Sequence, residues 1–226
     1  MRVNIECGPA YAMAYCYLSL GEELLVESGA MAAMSDGVSV SAAAPGGAVK
    51  GLLRKVAGGE SFFMGKYTAA VDGAWVAVAP KFPGDVASVK LDGSVEILAT
   101  SGAFLASAAS VKMSVVSAGW SNMLMREGVT MLKFSGNGTL VMCSYGGLQM
   151  FELAAGQTIV VDTGHVVGYT STMSTQVGPL TSVSSSVATG EGLAMRLTGP
   201  GFVWMQTRAE QQLRSWLFPE REQNKK

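Results

Sequence analysis

The sequence predicts an all-β fold of antiparallel sheets, and two features of the chain support this prediction. One glycine-punctuated segment occurs three times, at residues 18–34, 91–106 and 153–169. In each copy a glycine precedes a mostly apolar run, a Ser or Thr, a second glycine and further apolar residues. Apolar and polar residues also alternate along many short runs, which is typical of strands with one buried face. We therefore interpret the chain as a β-meander repeated within one polypeptide.

The N-terminal part contains several predicted strands. Alternate positions of a strand share a face, and the first strand has a mostly aromatic face formed by Tyr11, Met13, Tyr15 and Tyr17. Strands over residues 24–26 and 38–42 follow, and Pro45 ends the second of them. A continuous β-rich run predicts another strand over residues 74–79. This pattern favours a meander of short strands joined by glycine and proline turns.

The rest of the chain repeats this pattern as far as residue 207. Alternation predicts a strand over residues 111–115, and residues 132–142 predict a hairpin with Asn137 and Gly138 in its turn. Asn-Gly is a strong hairpin signal because both residues tolerate positive φ. A Ser/Thr-rich strand region covers residues 170–189, and the last strand ends at residues 204–207.

The domain organisation follows from these repeats. We predict one compact β unit over residues 1–207, built from repeats at approximately 1–80, 81–145 and 146–207, and a short helix with a frayed tail over 208–226. Leu213, Trp216 and Leu217 fall at positions i, i+3 and i+4, which indicates one amphipathic helical face. Pro219 ends that helix.

The composition restricts the possible partners and compartments. Charged residues make up 15% of the chain, against roughly 25% in an average soluble domain, so we expect part of the surface to be buried in a homo-oligomer. The net charge of −1 argues against nucleic acid as a partner. Three widely spaced cysteines do not form a disulfide framework, and the sequence shows neither a leader pattern nor a long apolar run. We expect a soluble cytoplasmic protein.

The side chains that usually perform catalysis are sparse. His165 is the only histidine, which excludes a multi-histidine metal site or a pair of histidines acting as acid and base. Its neighbour Asp162 leaves a Ser-His-Asp arrangement formally open, but no GxSxG pattern accompanies it. The cysteines lack CxxC spacing. We therefore predict no catalytic residue, no metal site and no cofactor.

Two groups of charged residues leave alternatives open. Glu60 and Glu191 both follow a glycine turn, and either form a ligand or cation site together or brace the turns through backbone N–H groups. Lys50, Arg54 and Lys55 lie among apolar residues. They either contact an anionic surface, on a membrane or a protein partner, or belong to a solvated loop.

An ordered series of short motifs resembles one protein family. The motifs are GEELLVESGAMAAM, GGESFF, PGDVASVKL, AFLAS, AGQTIVVDTGHVVGY and GEGLAMRLTGPGFVWMQT. Together they resemble the uncharacterised family typified by the mitochondrial-biogenesis protein "altered inheritance of mitochondria, number twenty-four". The resemblance implies fused copies of the β-sandwich of the tryptophan RNA-binding attenuation protein, a trimeric assembly in bacterial members, and no established enzymatic activity. It leaves a mitochondrial location open. RNA binding does not follow from the fold.

These observations favour a non-enzymatic β-rich scaffold or binding protein that works as a homo-oligomer, a trimer by the family resemblance. The aromatic strand positions Tyr15, Tyr17, Phe202 and Trp204 are the predicted oligomer interface. One alternative is a small-ligand or cation-binding protein with its site near Glu60 and Glu191. A further alternative, RNA binding, rests on fold analogy alone.

Overall fold

A computed structural model describes residues 1–43, 64–116, 130–179 and 193–219. These residues form antiparallel strands and one short C-terminal α-helix, so the predicted all-β class is confirmed. Within these ranges no helix is long and apolar enough to cross a membrane.

The strands are short, as the alternation in the sequence predicts. The first nine are β1 (Arg2–Glu6), β2 (Met13–Leu18), β3 (Glu23–Glu27), β4 (Met31–Met34), β5 (Val38–Ala43), β6 (Met64–Ala69), β7 (Ala74–Val78), β8 (Val86–Asp92) and β9 (Ile97–Thr100). The other nine are β10 (Phe104–Ala108), β11 (Val111–Val115), β12 (Met131–Cys143), β13 (Leu148–Leu153), β14 (Thr158–Asp162), β15 (Val166–Thr170), β16 (Ser174–Pro179), β17 (Leu193–Thr198) and β18 (Gly201–Gln206). Helix α1 spans Glu210–Leu217.

One scheme of strand pairing occurs three times along the chain. In module 1 (residues 13–78), β2 pairs with β7, β7 with β4, β3 with β6 and β6 with β5. In module 3 (residues 148–206), β13, β14, β15, β16, β17 and β18 pair in the same way, in the same chain order. In module 2 (residues 86–143), the long strand β12 is equivalent to two strands of module 1, β6 and β7. Its N-terminal half pairs with β9 and β11, and its C-terminal half pairs with β8 and β10.

The three glycine-punctuated segments have a common local geometry. Each contributes a strand, a tight connection and a second strand that enters a different pairing: β3 to β4, β9 to β10, and β14 to β15. The second strand has a register shift at the same place in each module, namely between Met31 and Ala33, between Phe104 and Ala106, and between Val166 and Gly168. Neighbouring modules join through these strands, because β10 pairs with β3 and β15 with β9.

The predicted hairpin at Asn137–Gly138 is wrong, because β12 runs unbroken through these residues. Gly136 has φ +100°, and a Cβ atom on it would lie 2.9 Å from the backbone oxygen of Ser110. A Cβ on Gly138 would lie 2.7 Å from the Ser110 hydroxyl oxygen. The glycines therefore allow the close approach of the chain that precedes β11, and do not reverse the direction of β12.

The core lies between the modules. One cluster joins the inner side of β2 and β7 to residues of module 2, and a second joins module 2 to Trp204 of module 3. In the second cluster Phe104 and Phe134 stack with ring centroids 5.6 Å apart. This stack lies within module 2, while buried Met64 of module 1 and Val167 and Trp204 of module 3 pack into the same cluster. Because burial of a large apolar side chain contributes about 1.5–3 kcal/mol, these contacts hold adjacent modules together.

The C-terminal helix is where the sequence predicts it, and the predicted aromatic strand is confirmed for Met13, Tyr15 and Tyr17. The inclusion of Tyr11 is wrong, because β2 begins at Met13 and Tyr11, which precedes the strand, is 74% exposed. In β2 the residues Ala14, Cys16 and Leu18 are buried, while Tyr15 and Tyr17 are half-buried on the other face. Helix α1 has no buried residue, and its apolar side chains stay largely in solvent: Trp216 is 76% exposed.

Candidate functional site

Five of the residues singled out from the sequence lie outside the described residues: Lys50, Arg54, Lys55, Glu60 and Glu191. Both alternatives for the two glutamates, and both for the three basic residues, therefore stay predictions.

His165 is held by the backbone of the last strand. Its Nδ1 lies 2.8 Å from the carbonyl oxygen of Gln206, and the Gln206 side-chain amide donates to the carbonyl of Gly164 at 2.9 Å. The Asp162 carboxylate accepts from the N–H of Gly164 at 2.8 Å. The two bonds to Gln206 hold the turn between β14 and β15 against β18, and the Asp162 bond closes the turn itself. His165 and Asp162 thus have a structural role here. Among the described residues no group of three His, Cys, Asp or Glu side chains is placed to hold a metal ion.

Two buried thiols and one carboxyl group have strongly raised pKa values. Burial raises the pKa of Cys16 to about 12. Burial, together with the negative charge of Glu27, also raises the pKa of Cys143 to about 12. A thiol becomes a nucleophile only as the thiolate, so these two buried thiols are inert near neutral pH. Burial raises the pKa of Glu27 to about 7, although the positive charge of Lys81 opposes the shift.

A cavity of about 850 Å³ lies between modules 2 and 3. One wall is formed by six consecutive residues of β8, residues 87–92. The opposite wall is the face of the β13–β18 pair that carries Leu148, Met150, Phe202 and Trp204. The aromatic rings of Phe202 and Trp204 lie 6.4 Å apart. The cavity thus has a mostly apolar interior, and its volume is in the range of about 300–1,000 Å³ typical of ligand sites.

Charged side chains border this cavity on both sides. Lys90 and Asp92 come from β8 and Glu152 from β13, and all three are exposed. Met150 is also 56% exposed. A ligand in the cavity would therefore contact apolar side chains and also charged ones, among them Glu152, which lies directly opposite Phe202 in the β13–β18 pair.

The four predicted interface residues fall into two separate places. Tyr15 and Tyr17 are on β2 of module 1, where Tyr15 packs against Trp75 at 5.5 Å and Arg2 lies 4.7 Å over the Tyr17 ring. Phe202 and Trp204 line the cavity, and Trp204 is only 5% exposed because module 2 covers it. No sequence pattern pointed to β8 or Met150 as part of a site. The available signal for Met150 was its place two residues after Leu148, on the same face of a predicted strand.

Several strand edges remain open in the part of the chain that the structure describes, and two of them, on β4 and β14, lack the pairing that their equivalents in the other modules make. Strand β4 ends the sheet of order β1-β2-β7-β4, and β14 ends the sheet of order β14-β17-β16. Both strands expose large apolar side chains: Met31 and Met34 of β4 are each 38% exposed, and Val160 of β14 is 43% exposed. Open apolar edges of this kind are templates for pairing with another chain.

Comparisons with known proteins agree with this architecture. A family model described as "Mitochondrial biogenesis AIM24" matches residues 3–208. An uncharacterised protein of Streptococcus pyogenes serotype M6 is 26% identical over 215 residues, which cover 92% of this chain and 86% of that protein. A crystal structure of a Streptococcus pyogenes protein superposes with a TM-score of 0.77 at 23% identity, over 96% of this chain and 97% of that one. This last likeness shows the fold.

Proposed function

The chain belongs to the mitochondrial biogenesis AIM24 family, and from this premise we propose that it is a non-enzymatic scaffold that assembles head to tail with copies of itself. The observation that carries the proposal is the complementarity of the two open edges. Internal duplication accounts for that complementarity. Strand β4 in the first module and β14 in the last are equivalent to strands that pair with each other at the contacts between modules.

The contacts between modules provide the template for this assembly. Strand β10 of module 2 pairs with β3 of module 1, and β15 of module 3 pairs with β9 of module 2. In the repeating scheme, β4 corresponds to β10 and β15, while β14 corresponds to β3 and β9. The pairing that continues the series is therefore β4 of one copy with β14 of the next.

The register of that pairing follows from the two registers inside the chain. Ala106 pairs with Val26, and Gly168 pairs with Ala99. By strand position, Ala33 corresponds to Ala106 and Gly168, and Val161 to Val26 and Ala99. Ala33 of one copy then lies opposite Val161 of the next.

One residue further along, this register places Met34 opposite Val160. Met34 and Val160 are both among the exposed large apolar residues of the isolated chain, and the pairing buries them against each other. Directly opposed apolar side chains on adjacent strands stabilise such a pair by about 0.2–1 kcal/mol.

A closed ring pairs β4 and β14 of every copy, since each contact is heterologous and a closing rotation leaves neither of these two edges free. We propose a trimer as the closed form. Three copies of the 23.5 kDa chain have a mass of about 70 kDa.

Light scattering after size exclusion at low micromolar concentration tests the proposal. We expect the trimer mass for the wild type and a smaller species for Val160→Lys, because the substitution places a charge in the buried pairing. Val71→Lys is the matched control, since Val71 is 50% exposed in the turn before β7. The double variant Met34→Glu, Val160→Lys should recover the trimer through an opposite-charge pair. A monomeric wild type, or an unchanged mass for Val160→Lys, refutes the assembly.

A further inference from the structure

The N-terminal strand β1 covers one strand edge whose counterparts in the other modules are uncovered. In module 1, β2 pairs with β7 on one side and with β1 on the other. The counterparts of β2 are β8 in module 2 and β13 in module 3. Among the described residues, β8 pairs only with β12, and β13 pairs only with β18.

Strand β1 lies at the junction of modules 1 and 2. It lies antiparallel to β2, with Val3 opposite Cys16 and Ile5 opposite Ala14, and it also contacts β8 of module 2. The side chain of Met1 packs against both the first and the second core cluster. Strand β1 is therefore bound through its backbone to β2 beside the junction of modules 1 and 2, with Val3 half-buried against the core and Ile5 36% exposed.

The cavity lies at the corresponding place between modules 2 and 3. Strand β8 is in the position that β2 has beside β1. The β13–β18 pair is in the position that the β8–β12 pair of module 2 has beside β1. Six consecutive residues of β8 border the cavity, so the open edge of the strand faces it, over a length of roughly 20 Å at about 3.3 Å per residue.

We propose that this cavity is a binding site for an extended peptide segment of another protein, which adds to β8 as an antiparallel strand. Backbone hydrogen bonds to an open edge supply affinity in this mode of recognition, and side chains at alternate positions supply specificity. One chain supplies every residue that lines the cavity, and these residues include neither β4 nor β14, the strands of the proposed assembly.

The register of β1 on β2 defines the preferred peptide. Residues of the peptide opposite Ala87 and Val89 take the places of Ile5 and Val3, and they point to the apolar wall at Phe202 and Met150. Residues opposite Ser88 and Lys90 point to solvent. The site therefore takes a peptide in which β-branched apolar residues alternate with polar ones, which is the pattern that suits a half-buried strand.

Three synthetic peptides with fluorescein labels test this inference. In the first, valines alternate with Ser and Thr; in the second, the same residues are rearranged so that the valines are contiguous; in the third, a proline replaces the central residue of the first. We expect fluorescence anisotropy to show binding of the alternating peptide, and about tenfold weaker binding of the other two. Hydrogen exchange should show protection of backbone amides in residues 87–92 when the alternating peptide is bound.

Two variants locate the site. Met150→Arg places a charge on the apolar wall at a position that is already 56% exposed, and should weaken binding of the alternating peptide about tenfold. Val40→Arg is the matched control, because Val40 is 51% exposed on β5, outside the cavity, and should leave binding unchanged. Val160→Lys should also bind the peptide normally, whatever its mass.

Three results overturn the proposal. One is no binding of the alternating peptide at millimolar concentration. Another is equal binding of all three peptides. The third is displacement of the bound peptide by a long-chain fatty acid with no protection of the β8 amides, which assigns the cavity to lipophilic small molecules.

Discussion

Replacing Glu27 by glutamine removes a carboxyl group whose ionised form is disfavoured by the fold. The carboxyl lies at the end of β3, where burial raises its pKa from 4.5 to about 7, against the opposing effect of Lys81. A raised folded-state pKa means that the native state binds the proton more tightly than the unfolded state does. The free energy of unfolding of the wild type therefore decreases as the pH rises from about 4.5 to about 7.

The size of the effect follows from the two pKa values. One pKa unit corresponds to about 1.4 kcal/mol, so the shift to about 7 corresponds to at most about 3 kcal/mol at pH 8. Glutamine resembles the protonated acid and carries no charge. We expect Glu27→Gln to match the wild type near pH 4.5 and to be about 1–3 kcal/mol more stable at pH 8, since partial solvent access reduces the maximum.

Urea unfolding at a series of pH values and one fixed protein concentration measures this difference. Glu23→Gln is the matched control, because Glu23 begins the same strand and pairs with Lys66 at 2.7 Å near the surface. That control should show no gain in stability at pH 8. The reasoning fails if Glu27→Gln is less stable than the wild type at pH 8, or if the difference between the two proteins does not change with pH.

Two further predictions concern close packing and thiol accessibility. Gly84→Ala should lower the free energy of unfolding by about 1–3 kcal/mol or more, because its Cβ would overlap the backbone carbonyl of Ser144; Gly178→Ala, with open space around the new methyl group, should unfold at nearly the wild-type urea concentration. In the native protein Cys7, which is exposed, should react with a chromogenic disulfide reagent, while the two buried thiols should react only after unfolding; three fast-reacting thiols in the native state would contradict the described core.

The alternation of apolar and polar residues predicted the strands well, because it reflects the alternating side-chain directions of a single strand. In β2 the buried residues Ala14 and Cys16 alternate with half-buried Tyr15, as the pleat of any strand requires. The spacing of Leu213 and Trp216 likewise predicted helix α1, which ends before Pro219. The family resemblance is confirmed by the match over residues 3–208.

The wrong hairpin prediction shows that the turn preference of two residues can be overridden by strand pairing with distant parts of the chain. Asn137–Gly138 has a strong turn preference, but β8 pairs with the chain at Asn137 and Gly138, and β11 pairs with it at Gly136. This continuous pairing keeps β12 extended. The same limit applies to Trp204, because an aromatic residue at an alternating position is compatible with a subunit interface or with cover by the neighbouring module. In the structure module 2 covers Trp204, and its place in a subunit interface stays a prediction.

By itself, the sequence determined the all-β class, the three glycine-punctuated segments, the C-terminal helix and the family. These depend on side-chain periodicity and on backbone preferences that act over a few residues. Only the tertiary structure decided which edges are covered. It pairs β1 with β2, leaves edges of β4, β14 and β8 open in the described part of the chain, and forms the open cavity between modules 2 and 3. Strand pairing joins residues far apart in sequence, and a strand has the same alternation whether its edge is paired or free.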